Sequence, residues 1–208
     1  MKSVRTLVIA FATFLVTATT LAASFASQAE VLSPYQVASK AGENLFSEIV
    51  ANKAKLEEQP DFMAQIVEDN LMPYVDHRYA AYKILGKNLK KTTKEQRTNF
   101  VKTMREYLVQ TYAKALAQYN NETVRFEAVG KHEGKKIVPV KAIIENPNKD
   151  LIIVFKMRKN SKTKEWKAFD MVVEGISLLS SKRAELGNRI RANGIEKVTT
   201  ELANLTSH

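Results

Sequence analysis

The chain is 208 residues long, 45% hydrophobic and 26% charged, and it contains no cysteine. That length suits one domain with a single core, and the missing thiols exclude disulfides, thiolate metal sites and cysteine nucleophiles together. The formal charge of +10 is uneven: three lysines stand against nine acids from Glu30 to Asp76, but 27 lysines and arginines against 13 acids from His77 onward. Such a balance suits partners of negative charge, whether a membrane surface, a lipid head group or an acidic protein face.

In chain order, Lys2 and Arg5 precede the apolar run "TLVIAFATFLVTATTLAA" and the small-residue stretch "SFASQAEV". This is the pattern of a cleaved secretory signal, with an apolar region short for a membrane span. Ser27 and Ala29 suit the −3 and −1 positions, so residues 1–29 are expected to be removed, with a cut after Ala26 as the alternative. The mature domain is then residues 30–208, delivered across the membrane. Export argues against nucleic acid as the acidic partner.

Ser33-Pro34-Tyr35-Gln36 reads as a capped helix start. Val37, Ala41, Leu45, Ile49 and Leu56 extend a helical apolar face over residues 34–57. Pro60 separates a second helix carrying Phe62, Ile66, Val67 and Leu71, which Pro73 ends. "YVDHRYAAYKILG" gives a short helix closed by Gly86. Thr92 or Thr93 then caps a long helix with Phe100, Met104, Leu108, Tyr112, Ala115 and Tyr119 on one face.

From Val124 the period changes to two. Four alternating segments, around residues 124–128, 138–145, 151–158 and 168–173, are joined by short turns such as "ENPNKD" and "KNSKTKE". Gly175 ends the last strand, and helices return over residues 177–192 and 195–205. Helices, then strands, then helices predict an α+β fold with a four-stranded antiparallel sheet wrapped by the N- and C-terminal helices.

Catalytic patterns are missing. His77, His132 and His208 lack metal spacing, the seven glycines form no phosphate loop, and no G-x-S-x-G occurs. Asp170 between Phe169 and Met171 is the one carboxylate with an apolar setting, but alternation points it away from both neighbours. Neither it nor His77, held beside Asp76, makes a catalytic constellation, so no enzyme, metal or cofactor is expected.

The segment "KIVPVKAIIENPNKDLIIVFKMRKNSKTKEWKAFDMVVEGISLL" resembles the MlaC, or toluene-tolerance, family of periplasmic phospholipid carriers of Gram-negative bacteria. So do "YVDHRYAAYKILGKNLKKTTKEQRTNFVKTMREYLVQTYAKAL" and "SSKRAELGNRIRANGIEKVTTELANL", and the likeness runs from about Pro34 to Leu205. The resemblance implies a deep apolar pocket that holds phospholipid tails and leaves the head group outside. It also implies a shuttle between an outer-membrane lipoprotein–porin complex and an inner-membrane ABC transporter with a substrate-binding ring, maintaining outer-membrane lipid asymmetry.

The residues set the physical requirement beside it. A diacyl lipid in water exposes about thirty methylenes, at a cost of roughly 25 kcal/mol, so transit needs apolar shelter. The strand positions expected to supply it are Val138, Val140, Ala142, Ile144, Ile153, Phe155, Met157, Phe169, Met171 and Val173. The helix positions expected opposite them are Leu71, Val75, Phe100, Met104, Leu108, Ile176 and Leu179. Lys87, Lys90, Lys91, Lys156, Arg158 and Lys159 are the candidates for meeting a head group or an acidic docking surface. Ile152, Val154 and Val172, on the other face, are expected to pack on a terminal helix. Alternation is equally satisfied by a filled core, and a ligand-free adaptor module is the alternative.

Overall fold

The computed structural model describes residues 31–206; the expected export signal and its cleavage points lie outside them, as does His208. The chain opens with α1 (Pro34–Ala51), whose first turn is closed in both directions at the cap. Ser33 Oγ accepts from the Gln36 N–H, and the Gln36 side-chain oxygen accepts from the Ser33 N–H. Asn52 turns its amide back onto the Glu48 carbonyl, so the single helix expected over residues 34–57 is two, α1 and the short α2 (Lys53–Glu58).

After Pro60 come α3 (Phe62–Asn70), a 3-10 turn (Met72–Tyr74), α4 (His77–Leu85) and a second 3-10 turn (Gly86–Lys91). The long α5 (Lys94–Leu116) starts at Thr93, whose hydroxyl and Gln96 form the second reciprocal cap. At 23 residues it spans about 34 Å, long enough to serve two packing regions. Its first half sends Phe100 and Met104 into a cluster with Ala81, Ile84, Leu186, Val198 and Leu202. Its second half sends Val109 and Ala113 against Leu45, Ile49, Met63, Ile66 and Val67.

The strands are β1 (Val124–Ala128), β2 (Ile137–Ile144), β3 (Leu151–Lys159), β4 (Trp166–Val173) and β5 (Ile176–Ser177). They pair in chain order and antiparallel throughout, a meander. The expected four-stranded sheet is therefore five-stranded. Gly175, with φ of +84°, reverses the chain tightly enough for Ile176 and Ser177 to pair with Val173 and Val172 before the helix begins. Ile176, expected on a helix, is thus a strand residue. The chain closes with α6 (Leu178–Asn193) and α7 (Ile195–Asn204).

The helices cover the sheet unequally. The α1 helix packs on β1, β2 and β4, while α4 and α6 pack on β4 and α5 packs chiefly on α3, α4 and α7. The central strand β3 has its main packing against β2 and β4 alone.

Candidate functional site

Strand register sorts the apolar side chains of one sheet face into four cross-strand rows. The first is Val138–Met157–Ala168, the second Ala128–Val140–Phe155–Met171. The third crosses all five strands as Phe126–Ala142–Ile153–Val173–Ile176, and the fourth is Val124–Ile144–Leu151. Every member is apolar. Such a face must be covered, and the degree of cover changes along it.

At the first row Met157 is 1% exposed and packs with Val138, Val140 and Trp166 against Val37 and Ala38 of α1, with Ala168 half-buried at the fringe. On β2 burial continues through Val140 and Ala142 and ends at half-buried Ile144. Along β3 and β4 it falls away at once: Phe155, Ile153, Leu151, Met171 and Val173 are all half-buried, and Ile176 at the far edge is 62% exposed. The apolar half of α1 beyond Gly42 turns from the sheet to α3 and α5, so the helix that closes one end leaves the other open. The fringe of that second helical cluster supplies Leu71, Val75, Leu108 and Tyr112, also half-buried. This fringe adjoins β4, because Val75 bridges Ala168 and the Asp76 N–H donates to the Ala168 carbonyl at 2.7 Å. Burial pushes the Tyr112 phenol up to about 12, with the Asp170 carboxylate adding to the shift. Along β3 the apolar face is thus sealed at Met157 and only partly covered toward Leu151, and this partly covered strip is the candidate groove.

Several expected lining residues lie elsewhere. Phe100 and Met104 are fully buried among α4, α6 and α7, away from the strand face, because α5 changes partners along its length. Leu179 belongs to the fringe of the same helical cluster. Phe169 is the extra residue of a β-bulge: Lys156 pairs with Asp170 and Met157 with Ala168, leaving Phe169 unpaired. Its ring meets Tyr79 of α4 edge-on at 5.1 Å. Simple alternation runs straight through such a bulge.

On the other sheet face the apolar residues are not uniformly covered: Ile152 is 45% exposed rather than packed under a terminal helix. That face carries Asp170, 7% exposed, at the start of α6. Its carboxylate accepts from Ser177 Oγ at 2.8 Å and the Leu179 N–H at 3.1 Å, and pairs with Lys156 at 2.9 Å. Three donors commit it to structure, which leaves no free base.

The same geometry corrects two of the expected head-group contacts. Lys156 is spent on Asp170, and Arg158 pairs with Asp76 at 2.7 Å while lying 4.3 Å over the Tyr79 ring. Both are on the face away from the groove. Lys159 sits at the closed end over Trp166, and Lys87, Lys90 and Lys91 are exposed on the 3-10 turn beside the helical cluster. The cation beside the open end is Lys149, in the turn between β2 and β3, which pairs with Glu174 at 2.8 Å. Arg125 on β1 is in register with Ile143 and Ile152, so it lies on the face away from the groove, paired with Glu145 at 2.8 Å. Lys149 was not among the expected head-group contacts, although "ENPNKD" closes the same strand ends as Ile144 and Leu151.

The described residues hold no cluster of His, Asp and Glu able to bind a metal, and no helix among them is long and apolar enough to cross a membrane. His77 is lowered from 6.5 by burial and then by the Arg105 guanidinium, whose Nη1 lies 3.3 Å from its Nδ1. Arg105 also pairs with Glu68.

A family model described as "MlaC protein" matches residues 39–204, nearly all of the helices and strands above. The chain belongs to the MlaC family. It is 34% identical over 191 residues to the "Intermembrane phospholipid transport system binding protein MlaC" of Haemophilus influenzae, spanning 91% of this chain and 86% of that one. It is 24% identical over 162 residues to the toluene tolerance protein ttg2D of Pseudomonas putida, spanning 77% and 74%. The fold matches a phospholipid-binding protein from Ralstonia solanacearum, solved in complex with a phospholipid, with a TM-score of 0.75 at 18% identity, over 85% of this chain and 98% of that chain. Within the MlaC fold as this chain builds it, the groove owes its shape to where α1 stops covering the sheet.

Proposed function

We propose that the protein is a periplasmic carrier that shelters phospholipid acyl chains on the open apolar sheet face and moves them between the two membranes. The observation that carries this reading is the fall in burial along the central strand β3, from sealed Met157 to half-buried Phe155, Ile153 and Leu151, on a sheet face that is wholly apolar. A face finished as ordinary core would be closed throughout, as it is at Met157. From Met157 to Leu151 the strand runs about 20 Å, enough for an acyl chain, since each leaflet supplies about half of the ~30 Å hydrocarbon core of a bilayer. The printed names of the relatives, a phospholipid transport binding protein and a phospholipid-binding protein, support the same ligand class.

The head group belongs at the open end, beside Lys149, where a phosphate would compete with Glu174 for a cation already exposed to water. The exchange in this reading is binding and release: lipid passes between an outer-membrane lipoprotein–porin complex and an inner-membrane ABC transporter with a substrate-binding ring, in support of outer-membrane lipid asymmetry. A ligand-free adaptor would be as well packed at Ile153 as at Met157, and it is not.

Incubation with phospholipid vesicles, re-isolation and native mass spectrometry test the reading. A mass increase of one phospholipid per chain is expected. A protein that stays at its apo mass under these conditions would count against the carrier.

A further inference from the structure

Gly42 stands in the interior of α1 and is buried, where glycine costs about 0.5–1 kcal/mol relative to alanine. Its backbone is helical, so no special dihedral requires it. The space does. A Cβ at this position would lie 2.4 Å from Cζ and 2.6 Å from Cε2 of Phe126, so the aromatic ring rests directly on the helix backbone. Phe126 is also the β1 member of the row that crosses all five strands.

On its other side the same ring lines a surface cleft of about 630 Å³ between α1, the end of α5 and β1, a size typical of ligand pockets, which run from about 300 to 1,000 Å³. Tyr35, Phe46, Tyr119 and Val124 give this cleft an apolar part, with the Phe46 and Tyr119 rings 4.6 Å apart, and Glu43, Glu122 and Arg125 give it a charged rim. Because β1 is the edge of the sheet, no further strand separates the cleft from solvent. Half-buried Phe126 therefore stands between the apolar part of this cleft and the apolar rows within.

On the reading that the protein carries a phospholipid, we propose that this α1–β1 cleft is a side entrance for an acyl chain, with the Phe126 ring on Gly42 as its gate. The ring gains dispersion from the bare helix backbone and otherwise packs only at the fringe of the cluster around Met157. It can turn away without disturbing the helix, and an incoming chain replaces the contact it gives up. A tail can thus slide over the sheet edge while its head group stays in water, with no need to thread the full chain from the open end.

Stopped-flow uptake of pyrene-acyl phospholipid from vesicles tests the gate. Phe126→Ala is expected to load several-fold faster than the wild type. An unchanged rate, or lost binding with the circular dichroism intact, would overturn it. Wild-type protein that takes up no lipid would instead sink the carrier reading and the entrance with it.

A second measurement leaves the ring in place. The chain has no cysteine, so Thr123→Cys at the cleft and Lys197→Cys on exposed α7 each give a unique thiol for a fluorophore. Loading with a phospholipid bearing a nitroxide on its acyl chain is expected to quench the label at Thr123 and spare the one at Lys197. Equal quenching at both, or none at Thr123 in protein shown by mass to be loaded, would place the tail elsewhere.

Discussion

Ile153 and Met157 are two turns of the same pleat on β3, yet one is half-buried and the other sealed. That contrast makes Ile153 the sharper test of where acyl chains lie. Ile153→Asp sets a charge in the middle of the third row, where a bound tail would have to desolvate it. Phospholipid co-purification is expected to be lost while the circular dichroism is retained, because the position already has access to water. Unchanged lipid content in a folded variant would move the tails off this face.

His77 offers a second test at this scale. Its folded value lies below 6.5, so between the two values the unfolded chain binds the proton that the folded chain refuses. Stability attached to His77 is therefore present above about pH 6.5 and is lost as the pH falls below it. Asp76 opposes the shift and Lys167 reinforces it. Urea unfolding from pH 7.5 to 5 is expected to show this loss in the wild type and a flatter profile in His77→Gln. Identical profiles would assign the slope to other groups.

At the level of elements, Asp170 joins three of them: it pairs with Lys156 on β3, sits on β4 and accepts from Leu179 at the start of α6. Asp170→Ala leaves the Ser177 hydroxyl and the Leu179 N–H without their acceptor, while Lys156, 41% exposed, can still hydrate. The expected cost is about 2–3 kcal/mol, a fall in Tm of roughly 5–10 °C for a domain of this size, read by differential scanning calorimetry. A change within error would mean that the pair is replaced by solvent. The elements differ in how far the sequence announced them. Both capping boxes, at Ser33 and Thr93, are local: partner residues lie three positions apart, so they can be read in one dimension. The same holds for the alternation of β2 and β3. The bulge at Phe169 is not local, since it is a mismatch between two strands and leaves no mark in either alone. The short β5 escapes for a related reason, because two residues carry no period. Lys156 and Arg158 looked like free cations for a similar cause: their partners, Asp170 and Asp76, lie 14 and 82 residues away. The groove itself was half legible. Alternation identified a buried face, whereas its open end follows from where α1 turns from the sheet to α3 and α5.

For the whole molecule, the account rests on a deficit of cover. Helical packing closes one end of the sheet and stops, and the missing cover is what a carried lipid would supply. A ligand bound only by the folded chain stabilises it by mass action, so a loaded carrier is expected to resist heat better than an empty one. The strongly basic half of the chain, from His77 onward, would keep such a carrier close to anionic surfaces without fixing it there. The most direct measurement is the lipid content of the protein itself: purify it, equilibrate it with phospholipid vesicles, separate the two, and weigh the intact complex by native mass spectrometry. The account predicts one phospholipid per chain, lost in Ile153→Asp. Wild-type protein that remains at its polypeptide mass after equilibration would contradict it.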